Sequence, residues 1–452
     1  MRRRYLVLLL GACVLVATGI GIWKTKIKLW QIRDENAGFR ALIGSPCAVA
    51  LVPHKGDEKI DLEIRQLQQR ARSDSEAAGA MERLGWAFIT KARLSYDPGY
   101  YKLAEACALC AQSKYGDDPD ALLLRGHILQ SVHKFKDAEP IARKLITIRN
   151  EAFDYGLLGD VLMEQGRLTE AVAAYQRMID LKPDLQSYTR VAHMRWLKGD
   201  LEGAIEVMRL AVTSGSPGDP EPTAWAYTRL GIYELQAGDT EIAAKCATTA
   251  IQFAGNYPAA LLLRGRTLLA QGNAKQAIDS LQRAAALTRL PEYEWTLADA
   301  LREAGEAQAA KELESSLCRD GAVNDPRTFA LYLATRRQRV EVALKLAREE
   351  LNTRADVFTI DALAWALNAN GKLAEAQECL KKALIEGTQD ARLFYHAGCI
   401  ALATGEYSDA EKSFALSNRI KQLLMPSERD DLGKEYALLM RRQISRPAAV
   451  SN

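Results

Sequence analysis

The chain has 452 residues, of which 48% are hydrophobic and 26% charged, with 14 prolines and a formal net charge of +3. A balance this close to neutral argues against the basic footprint of a nucleic-acid binder and against a field that would draw an acidic partner. The length fits about two to four ordinary domains.

Residues 1–30 differ from all that follows. Arg2, Arg3 and Arg4 precede an uncharged run at 5–23, 19 residues long, close to the roughly 20 that a helix needs to cross a bilayer. Trp23 and Trp30 suit the membrane–water interface, and Lys24, Lys26 and Lys28 end the apolar run. The expectation is a retained single-pass anchor, with the N-terminus cytoplasmic and the rest extracytoplasmic (periplasmic in a bacterium). Two alternatives stand beside it. Ala17-Thr18-Gly19 is a weak cleavage site for a secreted protein, and Leu10-Gly11-Ala12-Cys13 resembles a lipobox that would be lipidated at Cys13. The lysines after the span argue for the opposite orientation.

Residues 31–77 read as a linker and a capping helix. Gly38, Gly44, Pro46, Pro53 and Gly56 mark irregular chain, with one short strand expected at 48–52. Ile60, Ile64 and Leu67 then recur at helical spacing.

From residue 78 to 422 a pattern repeats. Residues 152–183 show it best: two amphipathic stretches joined at Gln165-Gly166, small residues at Gly159 and Ala171, Tyr175 beside them, and Pro183 at the end. The second-stretch alanines are Ala104, Ala138, Ala171, Ala204, Ala243, Ala277, Ala310, Ala343, Ala376 and Ala410, spaced by 33 or 34 residues with a single step of 39. A glycine marks most of the inner turns, at 166, 199, 238, 272, 305, 371 and 405. One such hairpin cannot cover both its apolar faces, so it must stack on copies of itself.

These units resemble tetratricopeptide repeats, with Leu158-Gly159, Ala171, Tyr175 and Pro183 carrying the likeness, as do Leu230-Gly231, Ala243, Gly398, Ala410 and Phe414. The resemblance implies an all-α, right-handed superhelical solenoid of about ten helical hairpins and a non-catalytic scaffold that binds a peptide or protein in its concave groove. Departures from the pattern are the LSYDPG stretch, expected to enlarge the first inner turn, and SGSPGDPEP, expected to enlarge an outer loop. In the eighth repeat Arg336-Arg337-Gln338-Arg339 replaces the turn glycine, a candidate local hinge. Residues 423–452 read as a C-terminal capping helix and a disordered tail.

Counting from each repeat's small residue, the resemblance places Trp86, Trp196, Trp225, Trp295 and Trp365 on the groove side of the first helices, together with His127, Asp160, His193, Arg266, Asp299, Asp361 and Tyr395. Tryptophan is a favoured interface anchor because it buries a large area at low rotamer cost. The plainer reading is that these rings pack against neighbouring helices and only shape the groove. The Lys and Asn residues with which chaperone-binding repeats clamp a terminal carboxylate have no counterpart in the first three repeats.

Nothing points to catalysis, a metal or a cofactor. Cys107-x-x-Cys110 falls inside a helical stretch and reads as packing thiols. The seven cysteines after residue 23 are an odd, scattered set and not a disulfide framework. His54, His127, His133, His193 and His396 show no metal-ligand spacing. The alternative function is an assembly factor of an envelope complex, acting through its convex face and the two inserted loops.

Overall fold

The computed structural model describes residues 45–73 and 77–444. The expected anchor at 1–30, most of the linker and the last eight residues lie outside the described residues. Among those described, no strand is present, and no helix is long and apolar enough to cross a membrane. The described chain forms two compact units that divide between Ile128 and Leu129.

The N-terminal unit begins with α1 (Pro46–Ala50) and α2 (Lys59–Ala71), followed by α3 (Ala77–Ser95), α4 (Gly99–Tyr115) and the start of α5 (Pro119–Ser131). The strand expected at 48–52 is instead a short helix. Ser45 caps it by accepting from the Ala48 amide, and Pro46 sits in its first turn, where a missing N–H costs nothing. The linker is pinned by Gln68, whose Nε2 donates to the carbonyls of Ala50 at 3.1 Å and Val52 at 2.7 Å. Cys47 of α1 is joined to Cys110 of α4 by a disulfide. This corrects two expectations, that the cysteines form no disulfide and that Cys110 is a packing thiol. Cys107 is free and buried, and burial pushes its thiol up. The LSYDPG insertion also differs from expectation. It lengthens α3 to 19 residues and α4 to 17, leaving a link of only Tyr96, Asp97 and Pro98.

The second unit runs from Leu129 through the end of α5 and α6 (Phe135–Ile148) into regular pairs: α7 (Ala152–Glu164) with α8 (Leu168–Leu181), and α9 (Leu185–Leu197) with α10 (Leu201–Thr213). Next come α11 (Pro220–Ala237) with α12 (Thr240–Phe253), α13 (Pro258–Ala270) with α14 (Ala274–Thr288), and α15 (Pro291–Glu303) with α16 (Ala307–Asn324). The series ends with α17 (Pro326–Thr335) and α18 (Val340–Thr353), α19 (Val357–Ala369) and α20 (Leu373–Leu384), α21 (Ala391–Thr404) and α22 (Tyr407–Arg419). A single 3-10 turn (Lys421–Leu423) then leads into α23 (Pro426–Ile444).

The repeat signature does the work its spacing predicts. All ten second-helix alanines have no exposed surface. A Cβ on Gly159 would lie 2.3 Å from the Tyr175 ring, and one on Gly398 2.3 Å from the Phe414 ring. The small residue is therefore the socket for the aromatic knob of the second helix. All seven turn glycines have positive φ, a backbone region that side chains disfavour. Where the eighth repeat lacks glycine, Arg337 and Arg339 take φ of 49° and 47°, and the turn forms regardless.

Candidate functional site

In the second unit the first helices of successive hairpins face inward, and the stack closes on itself. The inner turn after α7 meets the loop between α18 and α19, where the Ala355 amide donates to the Glu164 carbonyl at 2.9 Å and Arg354 pairs with Glu164 at 3.0 Å. One hairpin further on, the turn after α9 meets the loop between α20 and α21. Thr388 Oγ1 donates to the Leu197 carbonyl at 2.6 Å, Trp196 Nε1 donates to the Gln389 carbonyl at 2.9 Å, and Lys198 pairs with Glu386. Glycine is needed at these seams as well, since a Cβ on Gly166 would lie 2.4 Å from the Ala355 carbonyl and one on Gly199 2.7 Å from that of Gly387.

Closure leaves a central cavity of about 470 Å³. Its wall brings together five of the residues singled out from the sequence, His193, Trp196, Trp225, Arg266 and Asp361, contributed by four different repeats. Trp225 is the most open of them, at 36% exposure, whereas Trp196 is buried and stacks on Phe358 at 5.4 Å. Arg266 pairs with Glu292 at 2.8 Å, and Asp361 accepts from His396 at 2.9 Å. Burial, reinforced by the nearby Arg229 guanidinium, pushes His193 down to about 3, so it stands neutral. Burial alone would raise Asp356, but Arg327 and Arg354 outweigh it and hold the carboxylate low.

The other sequence candidates are elsewhere. Asp160 is engaged by Arg190 at 2.7 Å and by the Tyr175 hydroxyl at 2.8 Å. Trp365 and Tyr395 lie together on a separate depression, with Trp365 stacked on His396 at 4.1 Å and donating to Thr335. Trp86 and His127 belong to the N-terminal unit, where their rings lie 5.1 Å apart. Trp295 and Asp299 differ most from the expectation of an open groove. Trp295 has no exposed surface, packed edge-on to Tyr332 at 5.5 Å and beneath the Arg392 guanidinium at 5.4 Å. Asp299 is buried and takes hydrogen bonds from Ser427, with Arg336 beside it at 2.5 Å.

The reason is the C-terminal segment, which folds back onto the inner faces of α15 and α21. Met425 is buried, Glu428 has no exposed surface and holds Arg392 through two bonds of 2.7 and 3.1 Å, and Arg429 donates to the Leu269 carbonyl. Sequence reasoning missed Arg229, Tyr233, Phe358 and the Arg354–Asp356 loop. Arg229 carried one signal, a charge on a helix otherwise spaced for burial. The loop residues carried none, because they reach the cavity only when the stack closes. Among the described residues, no group of three or more His, Cys, Asp or Glu could hold a metal ion.

The tetratricopeptide-repeat family model matches residues 157–220, 228–294 and 362–419. No curated protein matches the chain. Among solved structures, the chain is similar to the APC/C hetero-tetramer Cut9–Hcn1, at 14% identity and a TM-score of 0.42, over 83% of this chain and 62% of that one. It is also similar to MamA, at 16% identity and a TM-score of 0.30, over 36% of this chain and 92% of that one. A third is the human IFIT1 dimer with PPP-AAAA, at 12% identity and a TM-score of 0.47, over 84% and 99%. The chain thus spans about three fifths of the first of these.

Proposed function

Since the chain carries tetratricopeptide repeats, whose general work is protein–protein interaction, we propose that it is a non-catalytic scaffold holding a peptide or protein partner on the inner face of its second unit. The observation that carries this reading is the convergence of His193, Trp196, Trp225, Arg266 and Asp361 on one cavity. Affinity would reside in a few aromatic anchors, Trp225 foremost because it is the most open. The test is crosslinking in native membranes followed by mass spectrometry. The wild-type chain is expected to enrich a defined partner that Trp225→Ala loses while helicity by circular dichroism is unchanged. Equal recovery by the variant would remove the reading.

A second reading, assembly through outer faces and inserted loops, gains from one observation: the C-terminal segment already covers the inner faces of α15 and α21. In that case shortening the 214–219 loop would abolish capture and Trp225→Ala would not. As to setting, we infer a tether through residues 1–30 and an extracytoplasmic location. The Cys47–Cys110 disulfide supports that side, because such bonds persist where the surroundings are oxidising. Protease protection in sealed vesicles tests it: the second unit is expected to be shielded in vesicles of cytoplasmic-side-out orientation and cleaved in those of cytoplasmic-side-in orientation.

A further inference from the structure

Five arginines line the central cavity, and four of them are matched by acids. Arg266 pairs with Glu292, Arg327 with Asp356 at 3.3 Å, Arg354 with Glu164, and Arg392 with Glu428. Arg229 is the exception, with no carboxylate within 4 Å among the described residues. Its Nη2 lies 3.0 Å from His193 Nδ1 and 3.2 Å from the Tyr233 hydroxyl, both neutral groups. Its Nε is closed off from solvent and makes no hydrogen bond. The guanidinium plane sits over the rings of Trp196 at 5.6 Å and Tyr233 at 5.1 Å, which fixes its direction without neutralising it. Arg229 is half-buried, and a cation held partly out of water without a counter-charge is costly unless something completes it.

We propose that the cavity is a binding site for a small monocarboxylate with an apolar body, its carboxylate on Arg229 and its body against Trp196, Phe358 and Trp225. Three features set that chemistry. Guanidinium and carboxylate match in shape and charge. The same wall holds Asp361, already bound by His396, and Asp390, whose carboxylate caps the Leu393 amide. These acids would repel a dianion such as phosphate more than a single negative charge. The cavity volume of about 470 Å³ falls in the range that small ligands fill. The site does not require the protein partner proposed above, and the two fail separately.

The experiment uses the full chain and three probe acids, indole-3-acetate, phenylacetate and octanoate. Each is compared with its primary amide, and inorganic phosphate serves as competitor, with binding read by calorimetry and tryptophan fluorescence. At least one acid should bind about tenfold or more tightly than its amide. Arg229→Met should remove that preference, and Arg229→Lys should keep part of it. Acid and amide binding alike, no acid binding at all, an unaltered Arg229→Met variant, or phosphate outcompeting every acid would each overturn the assignment. The acid–amide comparison on the unmodified protein keeps the test decisive if a variant fails to fold. An acid preference that Arg229→Met removes supports the site whether or not Trp225→Ala loses the captured partner.

Discussion

At the scale of single residues, the buried charges are where stability is most exposed to conditions. Asp61 of the N-terminal unit is almost wholly buried and is bound by His54 at 2.7 Å and Lys91 at 3.0 Å. Burial would raise its pKa, but these bonds prevail and lower it from 3.8 to about 2. A depressed carboxylate contributes stability that is complete above its unfolded value and is lost as pH falls through the folded one. The N-terminal unit should therefore weaken between about pH 4 and pH 2. Asp61→Asn should be weaker than wild type at pH 7 but should not lose stability further across that window; acid titration by circular dichroism checks both. The sequence made the ten alanines and the turn glycines legible because their roles are set within one hairpin. It made Asp61 legible only as one of many carboxylates on a helix, since its partners come from a loop before α2 and from α3.

At the scale of elements, α23 is the one whose role the periodicity hid. It reads as a cap for the last repeat, yet it reaches Asp299 and Leu269, more than a hundred residues earlier in the chain. The signal for a helix is local and was visible; the signal for where it docks is not local at all. Glu428 shows what the docking is worth. Removing it leaves the half-buried Arg392 unmatched, and breaking a fully buried pair costs on the order of 3–5 kcal/mol, an upper figure for this one. Glu428→Ala is accordingly expected to lower the urea midpoint of the second unit and to expose Trp295 to acrylamide quenching. A midpoint and quenching like those of wild type would show that the segment rests on the surface instead of sealing it. The same reasoning explains the tryptophans. Counting along a repeat places a ring on the inner side of its helix, but whether that side is open depends on what lies across from it.

At the scale of the molecule, the two units should answer different challenges. The N-terminal unit carries the disulfide, which closes a separation of 63 residues, worth about 4 kcal/mol in a chain-entropy account. Dithiothreitol is expected to lower the melting of that unit while leaving the second unit unchanged, so that two transitions separate in calorimetry. Cys47→Ser should reproduce the shift without reductant. The disulfide was not readable from the cysteine pattern, because five free cysteines share the described chain with the bonded pair. The signal for α1, by contrast, was present in Ser45-Pro46, a cap followed by a first-turn proline.

The stitching of the α7 and α9 turns to the loops at Ala355 and Thr388 has one more consequence. An open spring of hairpins can gain or shed a coil by gene duplication or deletion and stay intact. A spring whose early and late coils are sewn together counts its own turns. An extra 34-residue unit spliced in after Thr288 would carry Ala355 and Thr388 past their seats, and the whole second unit would have to choose between its curvature and its seam.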